Sequence, residues 1–190
     1  MQKSIIEDQQ IQGKNFQEDI FVRTTYENCV FDNCVFASCE LTSTVFMDCT
    51  FENCDFSIAK IGNVSFKNVA FHDCKLLGLH FEQCNPFSFE VHFDNCQLNL
   101  SSFYKIDLKH CSFKESSLQE VDFTEANFSQ KSFQNCDLLG AIFENTNLEK
   151  CDFRSAYNYI IDPQNNKIKK AKFSKEGAIG LLRAFDIVID

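Results

Sequence analysis

Bulky apolar residues recur at every fifth position along most of this chain. From Glu27 to Phe56 the sequence reads ENCVF DNCVF ASCEL TSTVF MDCTF ENCDF. The bulky centres are Phe31, Phe36, Leu41, Phe46, Phe51 and Phe56, and two residues before each stands a small one: Cys29, Cys34, Cys39, Thr44, Cys49 and Cys54. A period of five matches neither the helical turn of about 3.6 residues nor the alternation of about 2 in a flat strand. It calls for a backbone that turns a corner every five residues and aims two side chains of each five at one axis. Four such sides close a square coil, and stacked coils pair as parallel strands about 4.8 Å apart. Each repeat then buries its inner face only against its neighbours, which is the logic of a solenoid.

The register is unbroken from Phe31 to Phe81, slips at CNPFSFEVH, and resumes at Phe93 to run through Phe153. Two extra residues beside Pro86 predict a bulge or short corner loop. With four repeats per coil and that slip, every fourth centre falls into a column. One column reads Phe31, Phe51, Phe71, Phe93, Phe113, Phe133, Phe153, and the next reads Phe16, Phe36, Phe56, Leu76, Leu98, Leu118, Leu138. Such ladders are expected where identical side chains stack on copies of themselves. Lys131, in the small slot before Phe133, does not fit; either its stem reaches outward or that corner is distorted.

The pattern resembles the pentapeptide-repeat family, whose consensus is a small residue, Asp or Asn, Leu or Phe, and two variable positions. The resemblance covers roughly residues 16 to 155 and implies an all-β solenoid, a right-handed quadrilateral β-helix. We expect about seven coils over residues 1–155, with a small register break near 85–92. Residues 156–190 are expected to form a C-terminal turn, helix and strand module for dimerisation or capping. Ile5, Ile6 and Ile11 are expected to fold over the first coil, which should be frayed because Lys14 and Asp19 occupy its small slots.

Eleven cysteines ordinarily suggest a disulfide scaffold or zinc. Here every one lies in the small slot of a repeat, a position filled elsewhere by Ala, Val, Ser and Thr, so buried free thiols are the expectation. Stacked slots place ligands in a line, whereas zinc takes a tetrahedron; no metal and no cofactor are expected. No secretory segment or membrane span is visible, and with the odd number of thiols a cytoplasmic setting is expected. No nucleophile or phosphate-loop motif stands out, and His72, His80, His92 and His110 fall at outward positions, so no catalytic residues and no enzymatic role are expected.

Formal net charge is −9. Residues 1–160 carry 23 acidic against 12 basic side chains, and residues 161–190 carry 4 against 6. An acidic rod argues against direct nucleic acid binding and for a basic protein partner. Outward carboxylates beside the Phe column, Asp32, Glu52, Asp73, Asp94, Glu115 and Asp152, are the candidate partner-binding face, with only Lys114 and Arg154 opposing them. The next side is largely uncharged, with Val35, Ala37, Ile58, Leu77, Leu100 and Leu139.

After Phe153 the repeat ends. Asp162-Pro163 marks a turn, and Ser174 is a candidate N-cap for a helix over 175–185 that places Ile179, Leu182 and Phe185 on one face. Ile187, Val188 and Ile189 suggest a final strand. The turn and the GAIGLLRAFDIVID ending resemble the C-termini of Qnr-type pentapeptide proteins and of the immunity protein against a gyrase-poisoning microcin. The resemblance implies dimerisation through Ile179, Leu182, Phe185, Ile187 and Ile189. It also implies a DNA-mimicking rod that binds and modulates or protects a type II topoisomerase, DNA gyrase or topoisomerase IV, with quinolone or microcin resistance as the associated phenotype. Qnr-type proteins carry sizeable projecting loops, whereas the only break here is the one near Pro86. The alternative is a scaffold or adaptor that offers the uncharged side to an unrelated protein.

Overall fold

The computed structural model describes residues 5–182, 185, 187 and 188. Its strands are short because the chain turns after every five residues. β1 (Ile5–Glu7), β2 (Gln10–Gln12), β3 (Thr25–Glu27), β4 (Val30–Asp32), β5 (Val45–Met47) and β6 (Thr50–Glu52) form the upper coils. β7 (Ser65–Lys67), β8 (Val69–His72), β9 (Val91–Asp94), β10 (Ser112–Lys114) and β11 (Phe133–Gln134) follow, with a single 3-10 turn at Phe81–Gln83, and the one α-helix among the described residues, α1, spans Ile179–Leu182.

All pairing is parallel. One sheet runs β1-β3-β5-β7, and the other runs β2-β4-β6-β8-β9-β10-β11. The other two sides of the square are joined by isolated bridges such as Val35↔Asp55 and Glu40↔Lys60. Partners are 20 residues apart above the break (Phe31↔Phe51, Phe51↔Phe71), 22 across it (Phe71↔Phe93), and 20 again below (Phe93↔Phe113). The seven-stranded ladder spans seven levels and therefore makes six turns, and bridges Ser132↔Asp152 and Asp152↔Lys172 carry the same side over two further levels, against the seven coils expected.

Both ends differ from expectation. Ile6 and Ile11 do not fold over the first coil; they are its centres, in register with Tyr26 and Phe31. At the other end winding continues past Phe153, where Asn147 bridges Lys167 and the Phe153 ring stacks on Phe173 at 5.3 Å. Polar residues in the small slots, Gln9, Lys14 and Asp19 above and Asn166 below, had hidden these coils.

The interior is a stack of rings. Phe51 lies 4.8 Å from Phe31 and 4.9 Å from Phe71, nearly parallel to both, and meets Phe46 and Phe56 of its own coil edge-on at 5.1 and 4.9 Å. Offset stacking along the tube and edge-to-face contact around it are the two geometries that the ring quadrupole favours. Lys131 distorts this order locally: it is half-buried, and the neighbouring rings Phe128 and Phe133 stack face to face at 4.1 Å.

At several levels where the small slot holds Cys, Ser or Thr, its side chain donates a hydrogen bond to the coil above. The Cys54 thiol donates to the Phe31 carbonyl, Ser101 Oγ to Leu76 O (2.8 Å) and Thr146 Oγ1 to Phe123 O (2.9 Å). All eleven thiols are free and buried. Burial pushes the Cys49 and Cys136 thiols up to about 11 and the Cys111 thiol and Tyr26 phenol up to about 12.

Most corners are made by one residue with positive φ, two positions after the centre. Asn28, Asn33, Asn53, Asn63, Asn68 and Asn95 hold φ of 51–54° there, in keeping with the tolerance of Asn for the left-handed region. Ile58 (φ 52°) and Leu100 (φ 63°) occupy the same position, where a β-branched or bulky side chain is strained.

At the C-terminus the Ser174 hydroxyl accepts from Gly177 N–H at 2.9 Å, but the regular helix is only Ile179–Leu182, shorter than the expected 175–185. Gly177 and Gly180 lie directly against Tyr159: a Cβ on Gly180 would stand 2.4 Å from the Tyr159 carbonyl oxygen. That close contact requires glycines, which weaken the helix. Ile187 and Val188 are not in a strand; Ile189 lies outside the described residues.

Candidate functional site

A β-helix has no cleft by construction, so its candidate site is its outer wall. The wall over the two sheets presents, on each coil, the residues flanking each centre and the corner residue between the sheets.

The six carboxylates expected to form one line stand in three columns. Asp32, Glu52 and Asp94 are in one, in the order Gln12, Asp32, Glu52, His72, Asp94, Lys114, Gln134. Asp73 and Glu115 occupy the next corner, with positive φ. Asp152 lies on the other edge of the same sheet, between Ser132 and Lys172. The two-residue offset at Pro86 and the alternation of corner and strand positions account for the split.

The environments also differ from top to bottom. Asp32 accepts from Gln12 Nε2 at 2.8 Å and Asn33 Nδ2 at 2.6 Å, and Asp73 accepts from Asn95 Nδ2 at 2.5 Å. Asp94 is instead paired with Lys114 at 2.9 Å. Asp152 is paired with Arg154 at 2.7 Å, whose hydrogen bonds hold its carboxyl below the usual carboxylate range. The lower part of the wall is thus neutralised, and the upper part keeps its charge.

Further carboxylates, not singled out from sequence, complete the upper part. Glu7 and Glu27 are in register on β1 and β3, and Asp8 and Asp48 hold the corner between the sheets. Asn28 Nδ2 donates to Asp8 at 2.5 Å and Asn68 Nδ2 to Asp48 at 2.6 Å. The first three coils of this wall therefore carry two carboxylates each, and β1 to β6 contain no Lys or Arg. The signal in the sequence was the recurrence of acids 20 residues apart, blurred by the unrecognised first coil.

The uncharged side is discontinuous. Ile58 (64% exposed) and Leu100 (62%) share a corner column with Gly78 between them, and Glu120 follows. Leu77 is half-buried and Leu139 exposed one column over, separated by Asn99 and Gln119, while Val35 and Ala37 are half-buried.

The expected dimerisation residues Ile179, Leu182, Phe185 and Ile187 are all substantially exposed. Ile189 is not among the described residues. Among those described, no group of three or more His, Cys, Asp or Glu is placed to hold a metal ion, and no helix is long and apolar enough to cross a membrane.

The family model for the pentapeptide repeat region matches residues 44–123 and 87–173. The chain belongs to the pentapeptide-repeat family. Among solved structures, this pentapeptide-repeat protein is similar to two trypsin-treated variants of QnrB1, a plasmid-mediated fluoroquinolone resistance protein. They match with TM-scores of 0.63 and 0.64 at 20% identity, over 98% and 97% of this chain and 100% and 99% of theirs. HetL, a pentapeptide-repeat protein involved in heterocyst differentiation regulation from the cyanobacterium Nostoc sp. strain PCC 7120, matches with a TM-score of 0.57. Its identity is 11%, over 89% of this chain and 86% of that one. At these identities the likeness is one of fold. Comparison with curated protein sequences gives no match.

Proposed function

We propose that this pentapeptide-repeat protein is a non-enzymatic acidic rod that occupies the DNA-binding saddle of a type II topoisomerase, gyrase or topoisomerase IV, and modulates or protects the enzyme. The observation that carries this reading is the charge spacing of the upper wall. Two carboxylates per coil, Glu7 with Asp8, Glu27 with Asp32, and Asp48 with Glu52, at about 4.8 Å per coil, amount to one negative charge per about 2.4 Å. Duplex DNA carries one per about 1.7 Å. A rigid β ladder holds these charges without the entropy loss of ordering them on binding.

The exposed apolar side chains of Ile179, Leu182, Phe185 and Ile187 support pairing of two copies through the C-terminal end, which lengthens the rod. Light scattering of the wild type beside a Leu182→Asp, Phe185→Asp variant tests this; the variant is expected at half the wild-type mass.

The functional test is a gyrase supercoiling assay at low salt with increasing amounts of the protein, alongside binding to immobilised gyrase. The reading predicts altered supercoiling and binding that weakens as salt rises. Absence of both effects refutes it.

A scaffold reading is favoured by one observation, the exposure of Ile58 and Leu100 in a backbone conformation that disfavours them. Strain of this kind gathers at functional surfaces. Partner capture that is lost when Leu77 and Leu100 are replaced by Asp, and kept when Asp32 and Glu52 are neutralised, would select the scaffold.

A further inference from the structure

The wall that is acidic at its top carries, below the neutralised Asp94 and Asp152, lysines without an ion-pair partner among the described residues toward its bottom. Below the break Lys114, Lys131, Lys150 and Lys172 surround one hollow of about 450 Å³, with Asp152 in its lining, and Arg154 and Lys170 stand beside it. Asp152 is bound to Arg154 and Asp94 to Lys114; no ion pair to Lys131, Lys150 or Lys172 is formed among the described residues. Lys150 and Lys170 hold φ of 59° and 60°. They occupy, one above the other, the same corner column that holds Asp8, Asn28, Asp48 and Asn68 higher up. Between the two ends lie His72 and His92, in strands β8 and β9, and His110.

We propose that this wall pairs side by side with the same wall of a second copy running antiparallel. A two-fold axis lying in the interface and perpendicular to the tube reverses each column against itself. With that axis at the level of His92, Asp8 faces Lys170 of the second copy and Asp32 faces Arg154, each twice, whereas Glu27 faces Glu149 and Asp73 faces Glu115, so the end coils, Glu7 and Asp8 against Lys169 and Lys170, carry the attraction. A parallel arrangement sets acid on acid and base on base. Either end alone suits a foreign partner of opposite charge, but the reversed copy complements both ends at once, as a two-fold interface requires. From the first coil to the ninth the wall is about 38 Å long at the strand spacing, which gives the charged ends leverage to set orientation. The pairing rests on the charge register alone, independently of any topoisomerase. It covers the acidic carboxylates, so pairing and partner binding exclude each other.

The experiment is sedimentation velocity of the full chain at about 0.01 M and about 1 M salt, where charges are screened over about 30 Å and about 3 Å. It is run on the wild type and on two variants, Asp8→Lys with Asp32→Lys, and Arg154→Glu with Lys170→Glu. The wild type is expected to double its mass at low salt relative to high salt, and each variant alone to lose that doubling. An equimolar mixture of the two variants is expected to regain it, because each reversed pair then again sets one acid against one base. Misfolding cannot produce that recovery, and end-to-end pairing through Leu182 and Phe185 contributes equally in every sample. A wild-type mass independent of salt, variants that double like the wild type, or a mixture that stays at the variants' mass overturns the proposal. Retention of a DNA oligonucleotide by the basic half with no salt-dependent doubling overturns it too, and assigns that half to a polyanion.

Discussion

Replacing Phe93 by Ala tests the ring stack at the level where the register shifts. Its side chain is 1% exposed. It lies 5.6 Å from Phe71 above and 5.1 Å from Phe113 below, and meets Phe81 and Phe103 edge-on at 5.7 and 6.1 Å. Truncation removes the ring's transfer free energy and leaves a cavity, together about 3–5 kcal/mol. The upper part of that range applies, because the coils are held at strand spacing by their backbone ladders and cannot collapse into the gap. Phe93→Leu keeps most of the volume, and the adjacent column already stacks Leu76 on Leu98; it should cost about 1–1.5 kcal/mol. Phe87→Ala is the control, since Phe87 is 74% exposed on the break and its loss should fall within about 0.5 kcal/mol. Urea melts followed by far-UV circular dichroism report all three. A Phe93→Ala midpoint indistinguishable from that of the control would refute the filled-tube account.

Ile58→Asn should stabilise the protein by about 1 kcal/mol in the same melts, because a β-branched residue leaves the left-handed region and little buried surface goes with it; a loss of stability would show that the side chain packs. The eleven thiols should be nearly silent to a thiol reagent in the native state and all react once guanidinium unfolds the chain, whereas rapid native labelling of several would contradict their burial. Stability should fall as pH rises from about 9 toward 12. The buried Cys49, Cys111 and Cys136 thiols have native pKa values above their unfolded ones, so the unfolded chain loses protons first and their contribution, complete below about pH 8.5, drains away. A melting temperature unchanged between pH 8 and 10.5 would contradict this.

The interior was legible because five-residue spacing, once seen, assigns the Cys and the Phe outside the break an inward position, and the Phe71↔Phe93 pairing is visible as a two-residue offset beside Pro86. The ends were not, because Ile11 and Ile168 there have Gln9 and Asn166, and not a small residue, in the slot that would mark them. The short helix followed from a contact invisible in sequence, Gly177 and Gly180 against Tyr159. The acidic wall was misread as one line through the whole rod. Asp94 and Asp152 look like Asp32 in sequence, and only the register shows that the first two are answered by Lys114 and Arg154. The corner strain at Ile58 and Leu100 was also hidden, since the variable positions of the repeat accept most residue types in sequence while the backbone at one of them does not.

The claim that the upper wall stands in for DNA phosphates is tested most directly by association of the protein with immobilised DNA gyrase. The wild type is compared with an Asp32→Asn, Asp48→Asn, Glu52→Gln variant at low and moderate salt. The account predicts that neutralising these three charges slows association about tenfold at low salt, and that the gap closes as salt rises. Equal association of the two proteins, or no binding by either, would contradict it.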